Sequence, residues 1–336
     1  MSALSQPHPE VDPGRIVAEV EAAVARVSAA PAAIGRVIYG QETVVDRTLI
    51  TILAGGHGLL IGVPGLAKTT LVATIGTVCG LSSARVQFTP DLMPSDILGT
   101  EVMDVGSDGS RAFRFVPGPV FTQLLMADEI NRASPRTQSA LLQSMQEHHV
   151  TVAGVRHDLP SPFHVLATQN PLEQEGTYPL PEAQLDRFLL QIDVHYPDRE
   201  AERRMLFETT GSTESHTEAV LEAPGIKSIQ ALVRRMPVGE SVVEAILNLV
   251  RSARPGEAAG KFSEAIAWGP GPRASQALML AVRARALIDG RFAPSLDDVA
   301  DLAEPVLKHR MALSFAARAD GLTIGEVIAE LKGKIG

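Results

Sequence analysis

Residues 58–70 read Gly58-Leu-Leu-Ile-Gly-Val-Pro-Gly-Leu-Ala-Lys-Thr-Thr70. The apolar run Leu59 to Ile61 predicts a short buried strand, the Gly/Pro stretch a loop, and the residues from about Lys68 a helix. A phosphate is held by closely spaced backbone N–H groups and by the positive end of a helix, and this order of elements supplies both. Gly62 and Gly65 let the backbone approach the anion with no Cβ in the way. The candidate cradle is Gly62, Val63, Pro64, Gly65, Leu66, Ala67, Lys68, Thr69 and Thr70. Within it, Lys68 reaches the β- and γ-phosphates as a point charge and the Thr69 hydroxyl can ligate Mg²⁺. The strict pattern has Gly directly before the lysine. Here that residue is Ala67, which tolerates the helical backbone expected at a helix start. On the loop alone, a glycine-rich strand-to-helix turn with no ligand is the competing reading.

A second stretch decides between them. Leu124-Leu-Met-Ala-Asp-Glu129 reads as a buried central strand with two carboxylates where it ends. Asp128 is placed to hold Mg²⁺ directly or through water, and Glu129 to orient and polarise an attacking water. An acidic helix cap after an ordinary strand is the bland alternative. A phosphate loop and this strand together, in this order, point to ATP/ADP with Mg²⁺.

The 336 residues are enough for two cores, and 45% hydrophobic with 21% charged content is ordinary for a soluble protein. A net charge of −9 with no clustered Lys/Arg run argues against a large nucleic-acid footprint. The single cysteine, Cys79, has no partner for an internal disulfide, as expected in a reducing compartment. No apolar run is long enough to span a membrane, and the first ten residues lack a signal pattern, so a cytoplasmic location is expected.

In chain order, residues 1–13 read as a tail, and 15–27 as a helix with Ile16, Val20, Val24 and Val27 on one face. Val37-Ile-Tyr-Gly-Gln-Glu42 is either an adenine pocket, with Tyr39 and Gly40 as its contacts, or a plain entry into the core. Hairpins are predicted at 101–116, around a turn at 106–110 with Asp-Gly chemistry, and at 150–157, around Ala153-Gly154. Asp104 and Asp108 do not continue into a calcium-loop pattern. Ser134 caps a helix with Pro135 in its first position, and the adjacent His148 and His149 fall at its end as surface residues. Phe163 to Asn170 is a buried strand ending in Thr168, Gln169 and Asn170, the edge where ligands collect, and Asn170 is a candidate to hold water with Glu129. Arg187 follows a short helix, where a helix-end salt bridge is the plain expectation. Residues 211–225 read as loop, and the remainder as helices, with a capped start at Ser295.

Four stretches resemble the MoxR family of AAA+ ATPases: Gly62-Val-Pro-Gly-Leu-Ala-Lys-Thr69, Phe115-Val-Pro-Gly-Pro-Val-Phe121, Ala127-Asp-Glu-Ile-Asn-Arg132 and the long run from Ala167 to Phe188. Gly269-Pro-Gly-Pro-Arg-Ala274 is similar to the family's lid motif, although it departs from the commoner Gly-Ala-Ser-Pro-Arg form. The resemblance covers roughly residues 34 to 312. It implies an α/β fold: a P-loop AAA+ core with a five-stranded parallel sheet over 34–197, after an N-terminal tail and helix over 1–33. A small all-helical lid follows over 198–336. It makes Asn170 the sensor-1 residue, Arg187 the arginine finger, and Arg273 the sensor-2 residue, acting on its own or a neighbouring nucleotide. The hairpins would be inserts at about 100–117 and 150–162.

The resemblance further implies ATP hydrolysis in a homo-oligomeric, usually hexameric ring. It implies a chaperone-like role on a client protein, with a von Willebrand factor A domain protein as partner. Three rivals accompany it: an ATP-gated assembly module with little turnover, a magnesium-chelatase-like motor, and a nucleic-acid translocase. The last calls for basic hairpin tips, and the 106–110 turn has none.

Overall fold

A computed structural model describes residues 13–335, apart from 106, 108–109, 174–175, 211–216, 258–261 and 263. The chain begins with α1 (Pro13–Val27), α2 (Ala29–Ile34) and α3 (Glu42–Leu53), then β1 (Gly58–Ile61), α4 (Lys68–Val78), β2 (Ser83–Gln87) and α5 (Pro94–Leu98). A hairpin of β3 (Gly99–Val105) and β4 (Arg111–Pro117) precedes β5 (Leu124–Asp128) and α6 (Pro135–Glu147). A second hairpin, β6 (His149–Val152) and β7 (Val155–Asp158), precedes β8 (His164–Gln169), α7 (Glu182–Leu185) and β9 (Leu190–Asp193). Then come α8 (Arg199–Thr209), α9 (Ala223–Arg235), α10 (Glu240–Ser252), β10 (Ile266–Trp268), α11 (Pro272–Ile288), α12 (Leu296–Leu307), β11 (Ala312–Leu313), α13 (Phe315–Ala319) and α14 (Ile324–Lys332).

Five of these strands make one sheet in the order β2-β5-β8-β1-β9, all parallel. Helices cover both faces, which is why the central strands are apolar throughout rather than alternating. Their alternate side chains serve two cores. Leu59, Leu125 and Val165 face α6, and Leu60, Leu124, Met126 and Leu166 face the layer of α3 and α4. Each such buried side chain contributes about 2 kcal/mol. The second core runs on without a break into α9 to α12, so the helical unit is packed on the sheet layer.

The helix caps follow the sequence. Ser134 accepts from the Thr137 N–H with Pro135 behind it, and Ser295 forms a capping box with Asp298. The Ala153-Gly154 turn has positive φ at both residues, 49° and 84°, as a two-residue hairpin requires. His148 and His149 lie at the end of α6, His148 as its left-handed cap. The Asp108-Gly109 turn and residues 1–12 lie outside the described residues.

The N-terminal helix packs, as its apolar face predicts: Val20 and Val27 are fully buried, and α1 lies on α9 and α11. Two features differ from the sequence expectation. Residues 223–225 are the first turn of α9, not loop, because Pro224 lacks only an N–H that a first turn leaves unbonded anyway. The helical unit also carries a two-stranded antiparallel ribbon, β10 with β11.

Candidate active site

The phosphate loop leaves the C-terminal end of β1 and enters α4 at Lys68. It is tied to the next strand by the Gly62 N–H, which donates to the Gln169 carbonyl at 3.2 Å. A Cβ on Gly62 would lie 2.7 Å from the Val194 carbonyl oxygen. Its missing side chain is therefore needed for close approach to the strand beside it, which corrects the expectation that it makes room for an anion. Gly65 does face open space, with φ +85°.

Ala67 is the second correction. It is not helical but left-handed, φ 54° and ψ 22°, as the N-cap of α4. The chain must reverse between the loop and the helix while Leu66 stays buried. A non-glycine residue in this conformation costs about 1–2 kcal/mol, which is the physical reason for Gly in the strict pattern.

The donor set fits a magnesium-bound triphosphate. The first turn of α4 carries no acidic side chain, so its N–H groups and dipole are free for an anion. Lys68 Nζ donates to the Gly62 and Val63 carbonyls, the latter at 3.1 Å, and so sits over the loop. Burial lowers its pKa, against the charges of Asp128 and Glu129. Thr69 and Thr70 are exposed at the helix mouth. The Thr69 hydroxyl and the Asp128 carboxylate are hard oxygens of the kind Mg²⁺ takes.

Asp128 ends β5 and is buried, and both its oxygens are engaged. Thr168 Oγ1 donates to Oδ1 at 2.5 Å, and Arg85 donates to Oδ2 from Nη2 at 2.5 Å and Nε at 3.2 Å. Glu129 follows in a left-handed conformation, φ 54°. Its N–H donates to the same Thr168 oxygen at 2.9 Å. Its carboxylate accepts from Gln87 Nε2 at 2.7 Å and Arg132 Nη1 at 3.0 Å. Asn170 closes β8 nearby, buried, its Oδ1 accepting from the Leu172 N–H at 3.1 Å. The structure thus gathers the phosphate loop, Asp128, Glu129 and Asn170 at the C-terminal edge of the sheet.

Thr168, Gln87, Arg85 and Arg132 were not assigned from the sequence. The signal for Gln87 and Arg85 was period 2: both fall on one face of β2, and β2 pairs with β5 so that Gln87 lies opposite Asp128. Without the strand order that signal has no meaning.

Arg187 and Arg273 are not part of this gathering. Arg187 precedes β9, so it lies at the N-terminal edge, beside Gly55, Gly56 and His57, which precede β1. Arg273 begins α11, lines the same cleft, and approaches Asp186 at 3.8 Å. Six residues, 188–193, separate Arg187 from Val194, which packs on Gly62, and four of them form β9. At about 3.3 Å per residue of strand, β9 alone puts roughly 13 Å between Arg187 and the loop. Among the described residues Arg187 forms no ion pair, so the expected helix-end salt bridge is absent. Asp186 makes the pair there instead, with Arg310. The Arg187 Nε is buried without a hydrogen-bond partner.

Gly40 lines a cleft near the loop together with Gln41, Glu42, Arg47, His195, Tyr196 and Glu304, and Tyr39 is not among the lining residues. The Tyr39 hydroxyl donates to the Arg36 carbonyl at 2.6 Å, and the Arg204 guanidinium lies over its ring at 5.0 Å. Gly40 packs beneath Pro197 and Ala201.

Comparison with known proteins agrees with this geometry. Residues 57–190 match the model of the ATPase family associated with various cellular activities (AAA), and residues 259–331 match the AAA lid domain. Chaperone MoxR1 of Mycobacterium tuberculosis is 42% identical over 290 residues, covering 86% of this chain and 76% of that protein. YeaC of Bacillus subtilis is 39% identical, covering 90% and 92%. MoxR of Paracoccus denitrificans is 32% identical, covering 86% and 89%. A solved structure from Cytophaga hutchinsonii superposes with a TM-score of 0.85 at 35% identity, covering 95% of this chain and 97% of that one. With identity of this extent over most of both chains, a phosphate loop beside a two-carboxylate strand, and a helical lid, the chain belongs to the MoxR family of AAA+ ATPases.

Proposed function

We propose that this protein hydrolyses ATP to ADP and phosphate at sites shared between neighbouring copies in a ring. The observation that supports it is the separation of the site into two halves. Lys68, Asp128, Glu129 and Asn170 stand at one edge of the sheet, and Arg187 and Arg273 at the other, beyond the reach of their own phosphate loop. A guanidinium contributes to phosphoryl transfer only where it touches the transferring group. Both arginines therefore act on a neighbour's nucleotide, Arg273 included.

In this reading Lys68 and the first N–H groups of α4 bind the phosphates, and the cleft beside Gly40 takes the base. Mg²⁺ bound by Thr69 and Asp128 would neutralise charge on the β- and γ-phosphates. Glu129 orients water toward the γ-phosphorus and receives its proton as the bond to the bridging oxygen breaks, with Asn170 holding the same water. Gln87 and Arg132 both hold Oε2 of Glu129, which leaves Oε1 to accept from the water. Arg187 stabilises the charge on the transferring group, an effect of about 10³–10⁵ in rate.

A chaperone-like role on a protein client, in the cytoplasm and with a von Willebrand factor A domain partner, extends this proposal. It is supported by the likeness to chaperone MoxR1. Among the described residues no helix is long and apolar enough to cross a membrane. The β3–β4 hairpin exposes Met103, Val105 and Phe113, the last at 72%, while its Arg114 is paired with Asp104. Arg156 on the second hairpin is paired with Asp158. Exposed apolar side chains on the strands of the β3–β4 hairpin suit a protein client better than nucleic acid.

The test is steady-state ATPase activity in mixtures of Glu129→Gln and Arg187→Ala, each inactive alone. Recovery well above both parents is expected, because a mixed interface pairs an intact Glu129 with an intact Arg187. No recovery from co-assembled variants would rule out the shared site.

A further inference from the structure

We propose that Arg310 is the positioning residue of the arginine finger: from the helical unit it clamps the backbone on both sides of Arg187 and so sets where that guanidinium is presented. This rests on the reading of Arg187 given above.

Arg310 lies in the short turn after α12 and is only 2% exposed. A guanidinium has five N–H donors in a planar fork, and here all five find acceptors. Nε donates to Asp186 Oδ1 at 2.7 Å. Nη1 donates to the Leu189 carbonyl at 3.2 Å and the Val306 carbonyl at 2.5 Å. Nη2 donates to the Phe188 carbonyl at 2.6 Å and the Asp186 carbonyl at 3.2 Å. Four of these five bonds therefore end in the segment 186–189 that carries Arg187.

The neighbours of Arg310 act in the same direction. His309 Nε2 contacts the Phe188 carbonyl at 3.0 Å as its donor. Lys308 pairs with Asp193 at the far end of β9. Three consecutive residues of the helical unit thus hold β9 at both ends. Phe188 is itself fully buried, and Asp186 also faces Arg273. Arg187 is left with only its own rotamers, on a backbone that cannot shift without breaking the clamp.

Burying a charge costs several kcal/mol, and apolar packing of equal volume often stabilises as well, so stability alone does not call for an arginine here. Fixing three carbonyls and one carboxylate in set directions does call for one, and lysine has no such fork. A misplacement of about 1 Å in a reacting group costs roughly 100-fold in rate.

The test uses the full chain with Arg310→Lys, and Asp186→Asn as a milder variant acting on the clamp from the sheet side. Both are checked for folding by circular dichroism. For Arg310→Lys we expect unchanged affinity for a fluorescent ATP analogue and kcat lower by about 10- to 100-fold. Activity should recover on mixing with Glu129→Gln, which supplies a placed finger, and should not recover on mixing with Arg187→Ala, since neither Arg310→Lys nor Arg187→Ala supplies one. Asp186→Asn should show the same pattern with a smaller loss, and it carries the test if Arg310→Lys does not fold. Wild-type kcat in a folded variant, or loss of nucleotide affinity, overturns the proposal. So does failure to complement Glu129→Gln while Arg187→Ala does complement it. If Arg187→Ala also fails to complement, the shared-site reading falls first and this proposal with it.

Discussion

The two edges of the sheet are built differently. At the C-terminal edge the reactive groups stand at the ends of elements and are held through their side chains. Asp128 leans on Thr168 and Arg85, Glu129 on Gln87 and Arg132, and Lys68 on two carbonyls. Each of these bonds can be traded for a bond to ligand or water at modest net cost, about 0.5–1.5 kcal/mol when neutral and more when charged. At the N-terminal edge Arg187 stands on backbone that a fully buried arginine grips by its carbonyls. An edge that binds and releases a nucleotide needs exchangeable contacts. An edge that presents a charge to a neighbour needs a fixed one.

The largest expected effect separates the edges directly. Lys68→Ala should weaken ATP binding on the order of 100-fold, because the ammonium makes charge-assisted bonds to phosphate. Arg187→Ala and Arg273→Ala should leave binding at the same subunit's loop near normal. Equal loss of affinity from both edges, measured with a fluorescent nucleotide, would show the arginines reaching their own loop.

Thr168→Val comes next. It keeps the shape of a buried side chain but removes the donor to Asp128 and the acceptor for the Glu129 N–H. We expect kcat to fall about tenfold or more with stability lower by about 1–3 kcal/mol. Unchanged kcat in the presence of saturating ATP would mean that the Asp128–Glu129 backbone holds its geometry without Thr168.

Acid should act on the N-terminal edge first. His57 and His164 both stand there, and burial pushes their pKa values down to about 3 and about 4. In His57, Nδ1 accepts from the Val165 N–H and Nε2 donates to the Met145 carbonyl, so an added proton would face a donor. Unfolded, each imidazole takes its proton near pH 6.5. Their contribution is intact above that value. It is lost as pH falls toward the folded values, at up to about 1.4 kcal/mol per pH unit for each histidine. A melting temperature that stays level from pH 7 to pH 5 would contradict this, and His164→Gln should flatten the decline.

The smallest effect concerns Ala67. Ala67→Gly removes left-handed strain of about 1–2 kcal/mol but loosens the unfolded chain by about 0.4–1 kcal/mol. A slight rise in melting temperature with unchanged nucleotide affinity is expected. A clear fall would mean that the Ala67 methyl makes contacts that outweigh its strain.

Local chemistry is legible from the sequence because it depends on neighbours along the chain. The strand–loop–helix of residues 58–70, the apolar run that ends in Asp128 and Glu129, the caps at Ser134 and Ser295, and the Ala153-Gly154 turn all follow from short-range pattern. The alternation of apolar strands with helices points to an α/β domain, while the five-stranded parallel sheet was implied by the family resemblance. What those residues share with distant ones was decided only by the tertiary structure. Strand order set Thr168 between Asp128 and Glu129, and Gln87 opposite Asp128. The turn after α12 brought Arg310 onto residues 186–189, more than a hundred positions away in the chain. The handedness of Ala67 also waited on the structure, because its backbone is set by the burial of Leu66 and the entry into α4. The division of the arginines from the phosphate loop follows the same rule. A parallel sheet sends every strand the same way, so a residue before a strand and a residue after one are a strand's length apart, and no local pattern reports which edge a side chain serves.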